Sequence, residues 1–206
     1  MTMTKEMWIT GLAGVLIGIV LNGLFSPMWS GMMGYRNGGL NTASPMTRAI
    51  DSHFIEQMIP HHQDAITMAD IALEKAQHTE IKQLARDIQR TQSEEIVMMQ
   101  QWYRAWFGQE VPDTFASLGH GMGSGAMHMG IMGDATDIDR LNTASDFDKA
   151  FIEEMIPHHQ MAVMMAQMLA RTTDRPEMKQ LAKDIIEAQT REINSMREWY
   201  RAWYGR

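Results

Sequence analysis

The chain of 206 residues contains no cysteine. That absence excludes disulfides, thiolate metal sites, cysteine nucleophiles and a lipid-modified cysteine at the N-terminus. A basic surplus is missing too: 18 Lys+Arg stand against 25 Asp+Glu, a formal charge of −7. Phosphate recognition needs a basic face, so nucleic acid is not an expected partner. The excess lies in methionine, 22 of 206 residues, about 11 % against roughly 2–3 % in ordinary soluble proteins. Soft-metal chemistry must therefore come from thioether sulfur and from the eight histidines. The length suits one compact domain with a sizeable core plus a tail or anchor.

Charge is nearly absent at the N-terminal end. Trp8 to Phe25 is an apolar run broken only by Thr10, Asn22 and several glycines, just long enough to cross a bilayer. A cleaved signal peptide needs a basic start and small residues before the cleavage point. Here Lys5 stands beside Glu6, and no Ala-x-Ala pattern follows before Pro27. The expectation is a membrane anchor over residues 1–26, with a cleaved signal and a secreted, periplasmic body as the alternative. A buried soluble helix is the third reading. Lys5 against Arg36 and Arg48 leaves the orientation open. The metal-ligand content described below favours a body outside the cytoplasm, in the periplasm or its equivalent.

An internal repeat decides the architecture. Residues 51–108 align with 148–205 at a fixed offset of 97 without a gap, and about 30 of the 58 pairs are identical. Phe54-Ile55-Glu56-Gln57-Met58-Ile59-Pro60-His61-His62-Gln63 recurs as Phe151 to Gln160, and Trp102-Tyr103-Arg104-Ala105-Trp106 as Trp199 to Trp203. Leu40 to Ser44 recurs as Leu141 to Ser145, at an offset of 101. Each copy reads as a helix, a turn and a second helix, with turns near Gln77–Thr79 and Thr172–Arg175. Ser44 before Pro45, and Ser145 before Asp146 and Asp148, have the chemistry of N-caps.

In the second helix of copy one, Ile81, Leu84, Ala85, Ile88, Gln92, Glu95, Met99, Trp102, Tyr103 and Trp106 share one face. Its polar members Gln92 and Glu95 have counterparts in Gln189 and Glu192. In the first helix Pro60 and Pro157 fall mid-run. Each removes a hydrogen bond to the carbonyl four residues back, so the helix should kink or restart there. The freed carbonyl of Glu56 or Glu153 serves either a site or a bend around the core. Between the copies a Gly-rich connection has no helical period until its end.

The expected organisation is a 27–43 Gly/Met-rich linker, a first hairpin over 44–108, a Gly/Met/His-rich crossover over 109–143, and a second hairpin over 144–206. Two hairpins joined by so long a connection suggest an all-α, ferritin-like antiparallel four-helix bundle, preceded by the N-terminal transmembrane helix.

Chemistry concentrates at three places. Spacings of three and four put Met58 beside His61 and His62, and Met155 beside His158 and His159, on one side of each first helix. The facing stripe carries Glu95 and Met99, with Glu192 and Met196 in copy two. Imidazole with thioether suits Cu(I), and imidazole alone also serves Cu(II), zinc or iron. The competing reading is a metal-free core in which His–Glu or His–Gln hydrogen bonds rigidify the bundle.

The second place is the crossover, where His120, Met122, Met127, His128, Met129 and Met132 stand among glycines; Met28, Met32 and Met33 stand in the linker. Core packing accounts for helical residues such as Met68, Met98 and Met178, but a Gly-rich loop has no core to fill. The loop is read as a metal-binding segment, with a flexible lid or protein-contact loop as its alternative. The third place is Met161, Met164 and Met168, spaced i, i+3, i+7 with Met165 between them. Such a stripe reads first as packing, the alternative being a surface-facing Cu(I) platform. Copy one has Asp64, Thr67 and Ile71 there. His53 and His78 lack counterparts and read as surface residues. The Trp-Tyr-Arg-Ala-Trp segments are expected to close one end of each hairpin by aromatic packing and a cation–π contact.

These residues resemble the DUF305 family, whose hallmark looks like Phe-Ile-x-x-Met-Ile-Pro-His-His-x-x-Ala-x-x-Met-Ala followed by Leu-Ala-x-x-Ile-x-x-x-Gln-x-x-Glu-Ile-x-x-Met-x-x-Trp. Here the pattern spans Phe54 to Ala69 with Leu84 to Trp102, and again Phe151 to Ala166 with Leu181 to Trp199. The resemblance implies a ferritin-like helical bundle, commonly exported or membrane-anchored, with several members linked to copper binding and tolerance. It supports Met58, His61, His62, Glu95, Met99 and their copy-two equivalents as motif positions. It does not reach the Gly–Met loops.

The leading expectation is thus a membrane-anchored exoplasmic protein that sequesters or hands on copper, chiefly Cu(I), without turning over a substrate, with a copper-handling protein as a possible partner. The alternatives are a ferritin-like di-iron or copper oxidase and a metal-free, membrane-anchored interaction module. Against the oxidase, Glu-x-x-His is absent, and only Glu95 and Glu192 are placed as interior carboxylates where a di-iron site uses about four.

Overall fold

A computed structural model describes residues 45–112 and 138–205. These form α1 (Pro45–Lys75), α2 (Thr79–Phe107), the short α3 (Ile138–Thr143), α4 (Phe147–Thr172) and α5 (Pro176–Tyr204), with no strand among them. The expected anchor over 1–26, the linker over 27–43 and residues 113–137 of the crossover lie outside the described residues, as does the Ser44 cap. Among the described residues no helix is long and apolar enough to cross a membrane.

Both turns fall where the repeat places them. α2 ends at Gly108, whose φ of 73° puts it in the left-handed region and lets its N–H donate to the Arg104 carbonyl. The α4 cap is one residue later than the sequence suggests: Asp146, not Ser145, accepts from the Lys149 N–H at 3.1 Å. Pro60 and Pro157 do not restart their helices. α1 and α4 each run through the proline as one helix. One turn earlier, the Glu56 and Glu153 carboxylates accept from the Tyr103 and Tyr200 hydroxyls, at 2.6 and 2.9 Å.

Within each hairpin α1 packs along α2 and α4 along α5; the hairpins meet along α1 and α4. α1 and α4 run antiparallel, since Thr47 near the start of α1 donates to Asp174, beyond the end of α4. The core is divided into two apolar clusters. One joins Met68, Ala72, Ile81 and Ile88 of the first hairpin to Phe147, Phe151, Met155 and Met196 of the second. The other joins Ile55, Met58, Met99 and Tyr103 to Ala162, Met165, Leu181 and Ile185. Each cluster draws on all four long helices, so neither hairpin buries its apolar face alone.

At each end of this interface a buried aspartate of one hairpin receives the turn of the other. Asp148, almost wholly buried, accepts from the Gln77 and His78 N–H groups at 3.0 and 2.8 Å and from His78 Nδ1 at 2.5 Å. His78 then stacks on Trp203, centroids 3.7 Å apart. At the other end Asp51 pairs with Arg175 at 3.0 Å, and that guanidinium lies over Trp106 at 4.1 Å. His78, whose side chain keeps 39 % exposure, is thus a surface residue that also forms half of a lock, whereas His53 is simply exposed. The cation over Trp106 comes from the opposite hairpin, not from the arginine within Trp-Tyr-Arg-Ala-Trp.

Asp148→Ala leaves two part-buried backbone donors at the start of α2 without their acceptor, which costs about 1–2 kcal/mol each, the lower part of the range for an unsatisfied group. Urea unfolding should register a loss of about 2–4 kcal/mol on that basis. Breaking the surface Arg140–Glu153 pair should leave the urea midpoint nearly unchanged.

Candidate metal centre

The site is built where α1 crosses α4. His61 and His158, one from each hairpin, lie face to face with ring centroids 3.8 Å apart and planes tilted by 37°. His62 and His159 flank them at 6.3 and 6.2 Å from their own neighbours. The four imidazoles therefore form one continuous layer at the middle of the bundle, between the two apolar clusters. The duplicated motifs of the two hairpins share one centre.

The layer divides into two kinds of histidine. His62 Nε2 bonds Glu95 at 2.7 Å, and His159 Nε2 bonds Glu192 at 2.6 Å, with both imidazoles fully buried and both carboxylates reaching partly to solvent. The His–Glu hydrogen bonds that the competing metal-free reading invoked are thus present. His61 and His158 have no such partner. None of their four ring nitrogens makes a hydrogen bond, nor do the Nδ1 atoms of His62 and His159. Gln92 and Gln189, buried on the facing stripes, likewise leave their side-chain oxygens unbonded. Buried polar atoms are normally paired, so this density of open donors and acceptors in one layer is unusual for a structural core.

Burial also fixes the charge state. Desolvation, followed by repulsion from His62 and His159, pushes His61 down to about 3. His158 lies well below the usual imidazole range for the same leading reason, with His61, His159 and His62 adding repulsion. The backbone of each opposing histidine favours the charged ring only as the smallest contribution. Both inner rings are therefore neutral at physiological pH and keep an sp² lone pair, the form in which imidazole binds metals.

Met58, Met99, Met155 and Met196 are all fully buried. Met58 and Met99 share one apolar cluster, and Met155 and Met196 share the other. Met58 precedes His61 and His62 by one helical turn, and Met99 follows Glu95 by one turn, so each hairpin brings both thioethers within a turn of its His–Glu bond. Among the described residues no three His, Asp or Glu side chains gather closely enough to hold an ion by themselves. His120, Met122, Met127, His128, Met129 and Met132 lie outside the described residues.

The facing stripe differs in detail from its expected form. Ile96 and not Glu95 is the buried residue between Gln92 and Met99, while Glu95 stays at the rim with only its carboxylate turned to His62. Trp102 and Trp106 are half-buried and stacked on each other at 5.3 Å. Met68 and Met178 are fully buried, in keeping with a packing role. Met164 and Met168 are exposed, so packing does not account for them. Sequence reasoning missed the locking residues Asp51 and Arg175; the identity of Asp51 and Asp148 across the repeat was the available signal.

An imidazole whose pKa falls on folding contributes stability that is present above its unfolded value and is lost as pH falls toward the folded one. For His61 that window runs from 6.5 down to about 3. The urea midpoint of the wild type should decline across this window, and the His61→Gln/His158→Gln variant should decline less. The contrast cancels the carboxylates common to both proteins. A double variant as acid-sensitive as the wild type would contradict the assignment.

Residues 51–200 match the family described as Domain of unknown function (DUF305). The chain is similar to CopM in its Cu(II)-bound form at 52 % identity and a TM-score of 0.67, covering 75 % of this chain and 97 % of that one. It is similar to CopM in its Cu(I)-bound form at 50 % identity and a TM-score of 0.64, with 75 % and 98 % covered. A DUF305 fragment from Deinococcus radiodurans is 30 % identical with a TM-score of 0.59, over 76 % of this chain and 95 % of that fragment. A curated relative, Uncharacterized protein L153 of Acanthamoeba polyphaga mimivirus, is 49 % identical over 49 residues, 24 % of this chain and 32 % of its own. The chain thus spans about a third of that relative's length. A two-copy Pro-His-His bundle matched over residues 51–200 belongs to the DUF305 family.

Proposed function

We propose that this protein binds copper, chiefly as Cu(I), and sequesters it or hands it on through methionine and histidine ligands, with no turnover of a substrate. The observation that carries this reading is the unpartnered inner pair. His61 and His158 bring four buried ring nitrogens without hydrogen bonds to the centre of a bundle whose nearest helical neighbours are buried thioethers. A core selected only for stability would satisfy those atoms or replace them with apolar groups. The donor set suits a soft cation, because thioether and neutral imidazole favour Cu(I). On this reading Glu95 and Glu192 orient His62 and His159 and raise their basicity, as carboxylates do behind metal-bound histidines. CopM, solved in Cu(I)-, Cu(II)- and Ag-bound forms, lends support through its similarity.

Copper is cargo here, captured by the Met/His layer and by the crossover ligands His120, Met122, Met127, His128, Met129 and Met132. The body acts outside the cytoplasm, held to the membrane by residues 1–26 and facing a copper-handling partner. The four long helices form a ferritin-like bundle, and its acidic net charge helps to attract cations.

Titrating the full chain with Cu(I) against a chromophoric chelator should give at least one ion per chain; less would refute the proposal. Glu95→Gln/Glu192→Gln should weaken the bundle site about 10–100-fold while leaving binding measurable. Metal present at about a hundred times its Kd should add about 2.7 kcal/mol to stability. Unchanged stability with copper would favour the metal-free interaction module.

A further inference from the structure

The outward face of α4 is where large apolar side chains stand in solvent in a row. Met164 is 44 % and Met168 59 % exposed, with Met161 half-buried beside them. The other exposed large apolar residues among those described, Met46 and Val97, lie on different helices. The repeat does not require this row: the same register of α1 carries Asp64, Thr67 and Ile71, and Asp64 and Thr67 are exposed. From Met155 to Ala170 α4 has no charged residue. An exposed thioether gains little from burial and is open to oxidation, so neither packing nor solubility explains Met164 and Met168.

Their order along α4 does. His158, Met161, Met164 and Met168 succeed one another at steps of three, three and four, so each is the helical neighbour of the next. The series runs from half-buried to exposed: His158, with its ring nitrogens buried, and Met161 are half-buried, and Met164 and Met168 are exposed. His158 stacks on His61 in the central layer, Met161 packs at the edge of an apolar cluster, and Met164 and Met168 face solvent.

We infer that the Met161–Met164–Met168 face is a soft-cation site that takes Cu(I) or Ag(I) from solution and passes it inward toward His158. Uncharged thioethers discriminate by softness, so the face ignores Zn(II) and Mg(II). Two exposed sulfurs one turn apart hold an ion weakly and release it readily. The buried imidazoles beyond them add nitrogen donors that the surface lacks. Ligand exchange alone moves the ion, with no change of oxidation state. As a soft-cation site the face stands by itself; as a loading route it rests on the copper-binding reading above.

The test uses the full chain labelled with ¹³C-methyl methionine, each resonance assigned by a single Met→Leu variant, with Ag(I) as a redox-silent probe. Methyl resonances of Met164 and Met168 should shift with Ag(I) and stay still with Zn(II). Resonances unmoved at saturating Ag(I) overturn the site. Asp64→Met/Thr67→Met/Ile71→Met should add a second silver-sensitive set on α1, and its failure to do so also counts against the site.

For the route, transfer of Cu(I) from its bicinchoninate complex is followed by stopped-flow absorbance. The exposed changes Met164→Leu/Met168→Leu should slow that transfer at least fivefold while Met58, Met99, Met155 and Met196 still shift at saturation. Transfer at the wild-type rate overturns the route. Surface resonances that shift while those four never do overturn the copper-binding reading and leave the surface site standing.

Discussion

Everything in this bundle is arranged around one costly contact, the burial of the His61 and His158 ring nitrogens where α1 crosses α4. Neutral imidazoles whose buried ring nitrogens lack hydrogen-bond partners forfeit their interaction with water and recover a tilted ring contact at 3.8 Å and a small contribution from the opposing histidine's backbone. The rest of the interior must offset that loss. Two apolar clusters, one on each side of the histidine layer, do so by drawing side chains from all four long helices. Met58, Met99, Met155 and Met196 are among them, so the side chains that stabilise the layer are also those suited to a soft ion.

A polar layer in mid-core would let the hairpins slide or part, because apolar contacts alone specify register weakly. The ends of the bundle supply what the middle lacks. Asp148 fixes the α1–α2 turn through three bonds, and Asp51 fixes the α4–α5 turn through Arg175. Trp203 and Trp106 then cover His78 and Arg175. Each lock crosses from one hairpin to the other, so the position of the histidine layer is set from both ends. The two locks are not equal. One uses a permanently charged guanidinium and the other a titratable ring, although the aspartates and tryptophans are identical.

The hairpins, their turns and the duplicated Met-Pro-His-His segments were legible in the sequence because each is a local pattern repeated at a fixed offset. The pairing of His62 with Glu95 was legible for the same reason, both residues lying on facing stripes of one hairpin. Three features were not. The contacts of His78 escaped notice because its partners, Asp148 and Trp203, are in the other hairpin. Ile96 was passed over because a helix face read at 100° per residue cannot tell a rim carboxylate from its apolar neighbour. Met164 and Met168 fit a packing stripe by spacing, and only the placement of α4 turns them to solvent. In each case the deciding contact, or its absence, belongs to the assembly of hairpins.

Duplication explains why one half of the molecule could change while the other stayed fixed. A repeat that contributes half of a shared centre must keep the residues that meet at the crossing, and His61, His62 and Glu95 are matched by His158, His159 and Glu192. Positions facing away from the crossing carry no such obligation. There α1 has Asp64 and Thr67, an ordinary solvated face, while α4 has methionines that lead away from His158. The pseudo-twofold thus holds at the layer and is broken at the surface. If the centre is loaded from one side, as inferred above, it needs only one such face, and a second on α1 would only add exposed apolar surface.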